Sequence, residues 1–120
     1  MMNKESFREY CLSKKAVTES FPFDEVTLVF KVAGKMFALT SLDKPEFSVN
    51  LKCDPERSVE LREAYDDVIA GFHMSKKHWN TITIEGNISN KMIIELVDHS
   101  YDLVVKGMTI KKQKELGFIG

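Results

Sequence analysis

Apolar residues at Phe7, Tyr10 and Cys11, continued by the stem of Lys14, fall at the i, i+3, i+4, i+7 spacing behind Asn3, which can cap, so a helix is predicted over 4–13. The period fails between Ala16 and Val26. There Phe21-Pro22-Phe23 sets an extended segment, because proline drives the residue before it out of the helical region. A loop with two aromatic anchors is expected, its acids Glu19, Asp24 and Glu25 solvated. Thr27–Val32 and Lys35–Ser41 are rich in Val, Phe, Leu and Thr and are parted by Ala33-Gly34, the pattern of a β-hairpin. Both runs are apolar on both faces near their middles, which suits central strands. Phe47, Val49 and Leu51 then alternate with Ser48, Asn50 and Lys52, so the third strand has one wet face.

Asp54-Pro55-Glu56 is a helix start: the carboxylate accepts from free amides, proline fits the first helical position and the acids suit the dipole. The stripe Leu61, Ala64, Tyr65, Val68 is predicted to follow, and Val68 to Gly71 to form a turn or short strand. Thr81 to Glu85 alternates as a strand with Ile82 and Ile84 on one face. Ser89 caps a last long helix over 90–106 whose stripe is Ile93, Leu96, Val97, Tyr101 and Val104, with Gly107 at a left-handed C-cap position. One short helical turn is expected before Gly117. Together these elements give an α+β fold: a single domain over 1–120, an antiparallel sheet of about five strands with the N- and C-terminal helices on one face, and a loosely attached tail over 108–120.

Seventeen basic residues against eighteen acidic ones leave a net charge of −1, so any polyanion site must be a local patch. No run approaches the roughly 20 apolar residues that span a bilayer, which argues against a membrane role. The charged N-terminus does not read as a secretion signal, and Cys11 and Cys53 lack CxxC spacing. A reducing, cytoplasmic setting is expected, with both thiols as small buried hydrophobes and a disulfide as the alternative.

The unusual stretch is 71–86, GFHMSKKHWNTITIEG, which gathers two histidines, two lysines, the sole tryptophan and an amide between His73 and Asn80. His73 and His78 are five apart with no acid between them, which is the spacing of neither a helical nor a strand metal pair, so no metal is expected. Glycine-rich phosphate loops, GxSxG elbows and paired nucleophiles are missing from the sequence, and no enzymatic activity or cofactor is expected. Asp98 and His99 read as a surface pair. Lys76, Lys77, His78, Trp79 and Asn80 offer phosphate neutralisation, an aromatic face and an amide, one route to nucleic acid. The alternative is structural: Trp79 as a large core residue, the lysines as solvated turn residues. Strand alternation puts Trp79 on the face opposite Ile82 and Ile84, where it is either a stacking platform or covered by Phe21-Pro22-Phe23; the covered position is expected, to avoid exposing a whole indole.

The run Phe72 to Asn80, together with Phe21-Pro22-Phe23, Lys31-Val32, Lys35-Met36-Phe37, Asn50-Leu51-Lys52, Asp54-Pro55 and Ser100-Tyr101-Asp102-Leu103-Val104, resembles the MmcQ/YjbR-like proteins from about Phe7 to Val105. Ser75 and Lys77 stand where that pattern more often has asparagine and arginine. The resemblance implies a small cytoplasmic α+β protein, non-enzymatic and without cofactor, of a group described as predicted DNA-binding through a double-wing arrangement of hairpins. Carried over by position, Lys31, Lys35, Lys76 and Lys77 would contact phosphates, with His78 and Asn80 beside them. The alternative partner is a protein or small ligand held in a pocket of Phe21, Phe23, His73 and Trp79. A monomer is expected.

Overall fold

In the computed structural model, residues 2–71 and 74–120 are described; Phe72 and His73, and with them one histidine of the expected pocket, lie outside the described residues. The elements run α1 (Lys4–Leu12), β1 (Val17–Ser20), β2 (Thr27–Val32), β3 (Lys35–Ser41), β4 (Ser48–Lys52), α2 (Pro55–Ala64), β5 (Val68–Ala70), β6 (Trp79–Thr83), α3 (Asn90–Lys106) and α4 (Ile110–Glu115). The strands form one antiparallel sheet of six, in the order β1-β2-β3-β4-β6-β5.

The extra strand relative to expectation is β1, inside the segment read as a loop. Its four residues pair with β2, Val17 opposite Val32 and Ser20 opposite Val29. Such a short strand, alternating half-buried and exposed, carries almost no apolar signal. Glu19 is accordingly not a free acid: Arg8 of α1 donates to its carboxylate from Nε at 2.7 Å and from Nη2 at 2.5 Å, tying helix to edge strand. The β2–β3 turn has positive φ at both Ala33 (49°) and Gly34 (83°), the type I′ geometry that matches strand twist. Between Phe30 and Lys31 the pairing shifts, so Phe37 is an extra residue on β3.

That bulge leaves main-chain groups without ladder partners, and α3 supplies one. Ser100 Oγ donates to the Phe37 carbonyl at 2.5 Å and accepts from the Lys52 amide at 2.9 Å, joining β3 to β4 where the ladder stops. Around it the stripe Ile93, Leu96, Val97, Tyr101 and Val104 is buried against Phe30, Phe37, Val49, Leu51 and Ile82, each worth about 1.5–3 kcal/mol of transfer free energy. Phe7 of α1 meets Phe30 and Phe47 edge-on at 5.8 and 5.9 Å. Helices from both ends of the chain thus cover one face, as expected.

Several local expectations are corrected. Helix α2 ends at Ala64, which is exposed, and Val68 belongs to β5; Ser58 and Leu61 make the buried face of this helix. Gly107 caps α3 in a right-handed conformation, φ −76°. The tail is not loose: Met108 and Gln113 are buried, the Gln113 amide donates to the Met108 carbonyl at 2.9 Å, and Phe118 packs on Tyr101 at 6.2 Å. Asp98 and His99 do not pair with each other. Asp98 accepts from Tyr10 Oη at 2.6 Å and faces Lys14, while His99 Nε2 accepts from the Asp54 amide at 3.1 Å. Both cysteines are buried free thiols, so no disulfide joins them.

Candidate functional site

Among the described residues no helix lies over the opposite face of the sheet. Strand parity assigns to it Val29 and Lys31 of β2, Met36 and Leu39 of β3, Ser48, Asn50 and Lys52 of β4, and Trp79 and Thr81 of β6. The loop before β2 and the turn before β6 rise on either side, enclosing a groove of about 670 Å³, the size of a site for a small organic ligand. Phe23, Met36, Leu39, Met74 and Trp79 give it apolar walls; Asn50 and Thr81 form a polar floor.

Trp79 is on the face opposite Ile82 and Ile84, as alternation requires. Its cover is not the one expected. Phe21 and Phe23 are 46% and 67% exposed, and Phe21 lines a separate crevice beside Arg8 and Glu19. Phe23 stands at the groove across from Trp79 and leaves the indole half-buried with one side open to the groove. Asp24 closes the end of this loop onto β2: its carboxylate accepts from the amides of Val26 (2.9 Å) and Thr27 (2.6 Å), which hold it ionised below the usual carboxylate range. At the other wall, the Ser75 carbonyl accepts from the amides of His78 and Trp79, making one tight turn. Gly71 is where the chain crosses closest: its amide donates to the Trp79 carbonyl at 2.8 Å, and a Cβ there would meet Trp79 Cβ at 2.9 Å.

Lys31 and Lys35 flank the β2–β3 turn, Lys52 closes β4 opposite Trp79, and Lys76 and Lys77 stand exposed in the turn before β6. Because all neighbouring strands are antiparallel, these positions fall at one end of the sheet, spread over three strand spacings, roughly 14 Å. The far end of the groove is acidic, with Asp24 and Asp43 beside Lys44. His78 is exposed at the basic end. Asn80 is not a surface group: it is 1% exposed on the helix-covered face, accepts from Arg62 Nε at 2.8 Å and donates to Ser58 Oγ at 3.2 Å.

Sequence reasoning passed over Lys52, Asn50 and Thr81. The first two lie on the wet face of a strand it did identify, so their parity was visible; what was not visible is that β4 and β6 are neighbours. Among the described residues no cluster of three His, Cys, Asp or Glu side chains could hold a metal ion. Among the same residues no helix is long and apolar enough to cross a membrane.

A six-stranded antiparallel sheet with helices on one face and a grooved, basic-ended second face defines a small α+β domain of one recognisable kind. The YjbR family model matches residues 12–103, and the chain belongs to that family. It is 34% identical to the uncharacterized protein YbdF of Escherichia coli O157:H7, over 96% of this chain and 98% of that one. It is 32% identical to the uncharacterized protein YjbR of Escherichia coli K12, over 90% and 92%. The crystal structure of Deinococcus radiodurans protein DR2400, with domain DUF419, superposes with a TM-score of 0.91 at 41% identity, covering 98% of this chain and 89% of that one. A Pseudomonas syringae protein superposes at 0.74 with 27% identity over 85% and 98%.

Proposed function

We propose that the protein is a non-enzymatic nucleic-acid-binding module that takes a DNA strand across the basic end of its open sheet face. The reading rests on one observation: five lysines from four separate chain segments share the end of the sheet at which the half-buried Trp79 borders the groove. Lysines at that spacing follow a phosphate backbone, and an indole with one open side stacks on any base. The groove admits a base only when it is unpaired, so a single strand is preferred over a closed duplex. A net charge of −1 is no obstacle, since the two acids that line the groove, Asp24 and Asp43, lie at its far end. Among the described residues, the groups whose ionisation burial shifts lie away from the groove. Burial raises Tyr10, Cys11, Cys53 and Tyr101 and lowers His99, all on the helix-covered side, whereas Asp24 at the groove is held ionised by main-chain amides. A monomer in the reducing cytoplasm completes the proposal.

The apolar walls favour a second reading, an uncharged small ligand in the groove. Salt separates the two. Anisotropy of a labelled single-stranded oligonucleotide should show log affinity falling with log salt by about 0.7 per phosphate contacted, and replacing Lys76 and Lys77 by alanine should flatten that slope. Alanine at Lys111 and Lys112, on α4, which contributes no residue to the groove, should leave it unchanged. Salt-independent binding, or no binding at low salt, contradicts the nucleic-acid reading.

A further inference from the structure

We infer that Asn50 and Thr81 act as a base-selecting pair on the groove floor, favouring thymine, whose O4 accepts a hydrogen bond, over cytosine, which presents an amino group at the same place; this rests on the nucleic-acid reading above. Asn50 of β4 and Thr81 of β6 are directly opposite in register on the open face. Thr81 Oγ1 donates to Asn50 Oδ1 at 2.5 Å, which turns Nδ2 of the amide away from Thr81. Among the described residues no hydrogen bond is made by Asn50 Nδ2, so this donor is available at the groove.

An unrestrained asparagine reads adenine with both ends of its amide, accepting from N6 and donating to N7. Here Thr81 occupies one lone pair of the accepting end and draws it toward β6, and the donating end keeps both of its protons. That end suits a keto oxygen, which thymine presents at O4, and opposes the N4 amino group of cytosine, where donor would face donor. Trp79 supplies the plane against which the ring would be held. It pairs with Lys52, two residues along β4 from Asn50, so indole and amide are diagonal neighbours on one face, roughly 7–8 Å apart at the backbone. A ring stacked on the indole would meet the amide edge-on, while Lys52, directly opposite Trp79, would be placed for its phosphate.

The hydroxyl has an assigned task in this arrangement, which makes the pair testable apart from general affinity. Equal-length homopolymers of deoxythymidine, deoxycytidine and deoxyadenosine are titrated by anisotropy at low salt into the wild type, Asn50→Ala, Thr81→Val and Thr81→Ser. The wild type should prefer thymidine by about tenfold over cytidine, the effect of one hydrogen bond gained against one donor opposed. Asn50→Ala should remove the preference, and Thr81→Val should also remove it, by freeing the amide to flip, while cytidine affinity holds or rises. Thr81→Ser, which keeps the hydroxyl, should retain it. Equal binding of thymidine and cytidine by the wild type overturns the selection and leaves the nucleic-acid reading standing. A wild-type preference that survives in both Asn50→Ala and Thr81→Val also overturns the assignment to this pair. Failure of every homopolymer to bind overturns both.

Discussion

Arg62 Nε donates to the side-chain carbonyl of Asn80 at 2.8 Å, behind the sheet, so a residue of α2 holds the strand whose front carries the groove tryptophan. The same guanidinium donates from Nη2 to the carbonyls of Lys76 at 2.5 Å and Trp79 at 3.3 Å. Helix α2, which touches none of the groove, therefore sets the shape of the turn that presents Lys76 and Lys77.

Arg62→Ala should destabilise the fold by about 1–3 kcal/mol, the cost of leaving a buried acceptor and a turn carbonyl unpaired. Lysine should not restore it, since one ammonium cannot reproduce a fork with three acceptors. Urea denaturation of the three proteins checks this; full stability in Arg62→Lys would show that charge alone suffices.

Trp79→Ala should cost about 1–2 kcal/mol, less than the roughly 3–5 of a fully buried aromatic, because one side of the indole already faces the groove. Denaturation of the variant decides. A loss at or above 3 would mean that the ring is a core residue, with the groove a secondary feature.

How this face reads from sequence follows from the range of each interaction. The hairpin at Ala33-Gly34, the alternation of Phe47 to Lys52 and the caps at Asn3, Asp54 and Ser89 are local and were legible, because turn chemistry, parity and capping are decided within a few residues. The placement of Trp79 opposite Ile82 and Ile84 was legible for the same reason. Three features were not. β1 is held by pairing with β2 and by Arg8 of α1, not by its own apolar residues. Alternation does put Asn80 on the face of Ile82 and Ile84, but its polar run reads as a surface site; what satisfies it in the core is Arg62 and Ser58, eighteen and twenty-two positions away. The phenylalanines of 21–23 could be anticipated as anchors, yet which surface each would reach is set by where the loop lies over the sheet: Phe23 borders the groove and Phe21 a separate crevice.

His99 makes stability fall on mild acidification. Desolvation lowers its pKa first, then the charge of Arg57 and, more weakly, Lys106, against the opposing pull of Asp54 and Asp102. Neutral Nε2 is also the acceptor for the amide of Asp54, the residue that caps α2. The unfolded chain therefore takes up this proton first as pH falls past about 6.5, and the stability present above that value is lost toward the lower folded pKa. The urea midpoint should be lower at about pH 5.5 than at about pH 7.5, and the difference should shrink in His99→Gln, which keeps an acceptor that does not titrate. An unchanged midpoint in the wild type would contradict the assignment.

The central claim is that the open sheet face is where DNA is held, and the chain carries its own reporter there: Trp79 is the only tryptophan. A titration of unlabelled single-stranded DNA into the wild type, followed by indole fluorescence at low and at raised salt, reads occupancy of the groove and the phosphate contribution together. Quenching that saturates at low salt and weakens steeply as salt is added is the predicted result. DNA binding seen by an independent method while Trp79 emission stays unchanged would place the strand on another surface and contradict the account.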